Sequence, residues 1–106
     1  MQAAPKSLRL VVVLSGLIVA LAVLSLMVGP AGLSPRATLF GLLDGEGAAG
    51  IIVRSIRLPR MLLALLIGAT FGLAGAALQG LLRNPLAEPA LFGAPQAASV
   101  GASFVI

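Results

Sequence analysis

The chain alternates between long apolar runs and short polar breaks. Residues 1–9 are polar and basic, with Lys6 and Arg9. From Leu10 to Val28, 19 residues carry only Ser15, Gly16 and Ser25 as interruptions. As a helix this run is about 29 Å long, the thickness of a bilayer's hydrocarbon core at roughly 30 Å. A cleaved signal peptide is the rival reading, because the run follows a basic start. Signal peptides usually carry an apolar region of about 7–15 residues, however, and no clear A-x-A site follows this one. A retained first span over 10–28 is the better expectation.

Residues 29–60 form a connector. Gly29-Pro30 stops the first helix. Ser34-Pro35 has the form of an N-cap followed by proline at the first helical position, so a short amphipathic helix is predicted from Arg36 to Leu43. Asp44-Gly45 ends it. A second short helix is predicted over Ile51–Leu58, stopping at Pro59. Both are too short to span a membrane and belong at its surface or against the helix ends.

Met61 to Leu82 is the second predicted span. Within it Ala64, Gly68, Gly72, Ala76 and Gly80 recur every four residues. Small side chains at that spacing make a groove into which another helix can pack closely. The bland alternative is that they merely fill a lipid-facing helix. Gln79 is the one amide in either span. It either faces a neighbour or bonds locally near the helix end. Next comes Arg83-Asn84-Pro85-Leu86-Ala87-Glu88-Pro89, whose two prolines demand a turn at the membrane surface. From about Leu91 to Ile106 the chain is apolar and rich in small residues again, the start of a third membrane segment with a break in prospect. The last residue, Ile106, is followed by no polar tail, and the expectation is an N-terminal piece of something longer.

Composition agrees with the pattern. Of 106 residues, 59% are hydrophobic and 9% charged, against roughly a quarter charged in soluble domains. Mean hydropathy is +1.14. A water-soluble domain this small could not cover its surface with so few polar groups. The expected class is an all-α membrane protein, a polytopic transmembrane helix bundle, with residues 1–106 forming part of one domain. Cysteine and histidine are both absent, which excludes disulfides, thiolate nucleophiles, Cys/His zinc sites and a histidine base. Asp44, Glu46 and Glu88 are the only acids, a poor basis for a catalytic carboxylate pair. No phosphate-binding G-x-x-x-x-G-K-[ST] loop occurs, so the chain is not itself an ATPase of that kind. No enzyme, metal or cofactor is expected. The net charge of +4 sits beside apolar runs without an aromatic stacking set, so it reads as membrane-flanking charge rather than a nucleic-acid surface.

Charge does not orient the spans by itself. Lys6, Arg9 and Arg83 lie on one side, and Arg36, Arg54, Arg57 and Arg60 on the connector side. Three against four is nearly neutral under the positive-inside rule. Trp and Tyr are absent, so no aromatic belt helps. If the connector is outside, its arginines need another reason to be there.

Three motifs in order then point to a family. They are Arg57-Leu58-Pro59-Arg60, the helix segment Gly75-Ala76-Ala77-Leu78-Gln79-Gly80, and Arg83-Asn84-Pro85-Leu86-Ala87-Glu88-Pro89. Together they resemble the permease subunits of bacterial iron-siderophore, haem and cobalamin ABC importers. Leu91-Phe92-Gly93-Ala94-Pro95-Gln96-Ala97-Ala98 resembles the segment that follows in those permeases. The resemblance covers about Arg54 to Ile106; the first span and connector fit in placement but carry little motif.

The resemblance implies a permease of the inner membrane that crosses it many times and pairs with a second permease subunit. It also implies cytoplasmic ATPase subunits and a periplasmic substrate-binding protein. Outer-face arginines of such permeases pair with glutamates of the binding protein. Arg57 and Arg60 occupy the matching positions, and a guanidinium suits this task because it can grip a carboxylate bidentately. The bland alternative is anchoring of the helix end to headgroups. The turn with Asn84, Pro85 and Glu88 would face the cytoplasm, Asn84 capping the preceding carbonyls, Pro85 stopping the helix and Glu88 available to another loop or the ATPase. This chain supplies too few helices for a conduction path. The expectation is therefore a permease fragment or an inactive truncated product. The competing classes are a small complete membrane protein with a structural or regulatory role, and half of a secondary transporter. The latter predicts an inverted copy downstream.

Overall fold

The computed structural model describes residues 5–106, and among these every regular element is helical. Helix α1 runs over Lys6–Met27, α2 over Pro35–Leu43, α3 over Gly47–Ile51, α4 over Leu58–Leu82 and α5 over Ala94–Val105. A π-helical turn, Ile52–Arg57, joins α3 to α4, and a 3₁₀ turn, Pro89–Phe92, precedes α5. Residues 1–4, the start of the polar stretch read from the sequence, lie outside the described residues. The chain divides into two compact units, one reaching Leu63 and the other running from Ala64 to Ile106.

The fold class expected from the sequence is the one found: all-α, with two helices long and apolar enough to cross a membrane. The first is α1, 22 residues and about 33 Å long. It begins four residues earlier than the apolar run, so Lys6 and Arg9 lie on its first turns. Its side chains are almost all exposed within the chain, as suits a rod whose solvent is lipid.

The second corrects the sequence reading. One continuous helix of 36 residues runs from Gly47 to Leu82, where a short helix ending at Pro59 and a separate span from Met61 were expected. Pro59 does not break it because the preceding turn is wound in the π form. The Leu58 N–H donates to the carbonyl of Val53, five residues back. The wider turn accommodates both the hydrogen bond that proline cannot make and the bulk of its ring.

The first unit has a small interior of its own. Ser34 caps α2 as predicted, its hydroxyl oxygen accepting from the Ala37 N–H at 3.2 Å. Gly41 of α2 lies on the backbone of Ala49 and Gly50, where a Cβ would come within 2.9 Å of Ala49. Gly50 in turn meets the backbone of Gly45. This close approach buries Thr38 and leaves Val53, in the π turn, fully enclosed.

In the second unit the chain leaves α4 through Arg83, a non-glycine residue with φ of 49°. It returns so that Pro89 Cδ lies 3.8 Å from the position of a Cβ on Gly75. Ala87 is buried in the turn. The third apolar segment is broken at Gly93, whose φ is 79°. Beyond it α5 has 12 residues, about 18 Å, with Pro95 in its first turn.

Candidate functional site

The polar chemistry concentrates where α1, α2 and the π turn meet. Every α-helix ends with carbonyls that have no partner inside the helix, and its C-terminus carries a partial negative charge. In α1 the Val28 N–H takes Leu24 O, and in α2 the Asp44 N–H takes Phe40 O. Neither helix has a basic residue in its own last turn. The last two carbonyls of each helix are reached from the π turn. Arg57 Nη1 donates to Leu26 O at 2.7 Å and to Met27 O at 3.3 Å. Arg54 donates through Nε and Nη2 to Leu42 O at 3.1 and 2.8 Å, and through Nη2 to Leu43 O at 2.7 Å.

Two glycines make room for these side chains. A Cβ on Gly29 would lie 2.7 Å from Arg57 Nη2, and one on Gly45 would lie 2.5 Å from Arg54 Cζ. Each glycine stands two residues past the end of the helix whose carbonyls are capped. Residues three apart share a face of an α-helix. The wider π turn advances less per residue, so Arg54 and Arg57 splay toward different neighbours.

The two arginines singled out from the sequence differ in situation. Arg57 is 8% exposed, spent on the end of α1, and its buried Nη2 has no hydrogen-bond partner. Arg60 is exposed. Both line a cavity of about 400 Å³ whose walls include Ser25, Val28, Pro30 and Ile56. No carboxylate lines it. Arg54 was assigned no role in the sequence reading. The available signal was an R-x-x-R pair downstream of two helix ends that lack basic residues of their own.

The small-residue stripe and the turn occupy the second unit. Ala64, Gly68, Gly72, Ala76 and Gly80 are all exposed, and Gly68, Gly72 and Gly80 have nothing within 4 Å of where a Cβ would stand. The returning chain lies instead beside Gly75, leaving the stripe open. Gln79 takes the local option: its Nε2 donates to Pro85 O at 3.3 Å. Asn84 caps forward rather than backward, correcting the expectation. Its Oδ1 accepts from the Leu86 N–H at 3.0 Å, an Asx-type turn that competes with the helix for the chain's direction. Glu88 is exposed and opens the 3₁₀ turn in an extended conformation, with no capping bond from its side chain.

Comparison with known proteins adds the following. The sequence profile of the FecCD transport family matches residues 17–106. An Fe(3+)-citrate import system permease protein of Bacillus subtilis (strain 168) is 37% identical over 101 residues, 95% of this chain and 30% of that protein. An achromobactin transport system permease protein of Dickeya dadantii (strain 3937) is 44% identical over 92 residues, 85% of this chain and 26% of that protein. A vitamin B12 import system permease protein of Salmonella newport (strain SL254) is 40% identical over 97 residues, 91% and 28% respectively. The chain thus spans less than a third of the length of these relatives. No solved structure matches it.

Proposed function

The chain belongs to the FecCD transport family, and on that premise we propose that it forms part of the transmembrane permease subunit of an ABC importer for an iron-siderophore or similar metal chelate. The relatives are named as permeases for Fe(3+)-citrate, achromobactin and vitamin B12, transport proteins rather than enzymes. In this reading the subunit crosses the bacterial inner membrane several times and pairs with a second permease subunit. A periplasmic substrate-binding protein delivers the chelate, and cytoplasmic ATPase subunits drive alternating access. No bond of the substrate changes.

Within that assembly the connector faces the periplasm. The observation that carries the docking role is Arg60, exposed near the start of α4 and beside a cavity without carboxylates. Arg60 meets an acidic side chain of the binding protein, and Arg57 stands behind it in the same cavity wall. The stripe from Ala64 to Gly80 packs on a further helix of the permease. Asn84, Pro85 and Glu88 form a cytoplasmic turn, with Glu88 open to a neighbouring loop.

The test is charge reversal in the complete transporter. Arg60→Glu should weaken binding-protein association by tenfold or more, about 1.4 kcal/mol. The loss should fall mainly in the association rate and shrink at high salt, because an exposed charge acts by steering. Unchanged association and uptake would remove Arg60 from the docking surface.

A further inference from the structure

We infer that Arg54 is a positioning residue which, with Arg57, forms a paired cap holding the ends of α1 and α2 to the π turn, and that this cap sets the direction in which Arg60 is presented. The inference rests on the docking reading above for its functional consequence, but not for its geometry. The two guanidiniums do the same thing three residues apart. Each takes two consecutive C-terminal carbonyls of a different helix, Leu26 and Met27 for Arg57, Leu42 and Leu43 for Arg54. Each lies close against a glycine just beyond that helix, Gly29 or Gly45.

The chemistry favours arginine at both places. A planar fork can bridge two carbonyl oxygens and still lie flat on a glycine backbone, whereas a lysine ammonium is a point charge on a flexible stem. At the edge of a bilayer an unmet carbonyl is costlier than in water, so the ends of α1 and α2 depend on these donors. Val53, fully enclosed in the π turn and directly before Arg54 in sequence, is the apolar pin of the same joint. Arg60 follows Arg57 by three residues on the same helical continuation and shares its cavity wall. A joint that rotates or frays at Arg54 or Arg57 therefore redirects Arg60.

The experiment uses the complete transporter in lipid nanodiscs. This chain has no cysteine of its own, and with any cysteines elsewhere in the transporter replaced by serine, spin labels are placed on Leu24→Cys with Ile51→Cys, and on Leu39→Cys with Ile51→Cys. Distances within each pair are compared in the parent, Gly29→Ala, Arg54→Lys, Arg54→Gln and Arg60→Lys, and affinity for the substrate-loaded binding protein is measured in the same set without labels. Gly29→Ala removes no charge, yet should broaden the Leu24–Ile51 distances and weaken docking severalfold. Arg54→Lys should broaden the Leu39–Ile51 distances as much as Arg54→Gln does. Arg60→Lys, which alters the presented side chain and not the cap, should leave both distances sharp. Sharp, unshifted distances in both Gly29→Ala and Arg54→Lys would overturn the paired cap. Broadened distances with unchanged docking would overturn its role in presenting Arg60. Failure of the docking reading itself shows separately, as parental affinity in Arg60→Glu.

Discussion

Arg57 shows how little a residue's charge alone says about its use. The R-x-P-R sequence marks a basic helix end, and a basic helix end at a membrane is ordinarily an anchor or a contact surface. The structure gives Arg57 an intramolecular task 31 residues upstream and leaves Arg60, three positions later, exposed. Serine 34 is the opposite case, because its task is local. Ser34-Pro35 announces an N-cap, and the hydroxyl makes the bond that the pattern predicts. Ser34→Ala should cost about 1 kcal/mol, read by steric-trap unfolding in bicelles, and Ser34→Asp should restore most of it. Parental stability in Ser34→Ala would mean that the hydroxyl bond contributes nothing.

At the scale of elements, the small residues of α4 differ in what meets them. Gly75 is met by the chain's own return through Pro89. The series from Ala64 to Gly80 in steps of four is open, and in the proposed permease it receives a neighbouring helix. Gly72→Leu should then lower the yield of assembled transporter in mild detergent severalfold while leaving membrane insertion unchanged, and Leu73→Ala, one position off the stripe, should do neither. Equal assembly of Gly72→Leu and parent would make the stripe a lipid-facing surface. Both apolar runs, α2 and the turn after α4 were legible because their signals are local: run length, an N-cap, paired prolines. The continuity of the helix through Pro59 was not. A π turn has no signature in hydrophobic periodicity, and the rule that proline ends a helix assumes i→i+4 bonding up to that point. The R-x-x-R pair was visible but the carbonyls it serves were not, because Arg54 reaches back 12 residues and Arg57 31, distances no local pattern encodes.

For the whole molecule the open matter is which way the spans run, and the caps change the charge argument. Counted by type, the connector side holds Arg36, Arg54, Arg57 and Arg60, against Lys6, Arg9 and Arg83 on the other. Arg54 and Arg57 are matched to the negative ends of α2 and α1, which is a structural reason for their place irrespective of the membrane's polarity. Setting them aside leaves Arg36 and Arg60 against Lys6, Arg9 and Arg83, and the positive-inside rule then favours a cytoplasmic start and a periplasmic connector. The same orientation puts Arg60 where a periplasmic partner can reach it. Single cysteines test this directly in intact cells. Gly32→Cys should react with a membrane-impermeant maleimide added outside, and Glu88→Cys should react only after the inner membrane is opened. The reverse pattern would invert the topology and take the docking proposal with it, while leaving the caps on α1 and α2 untouched.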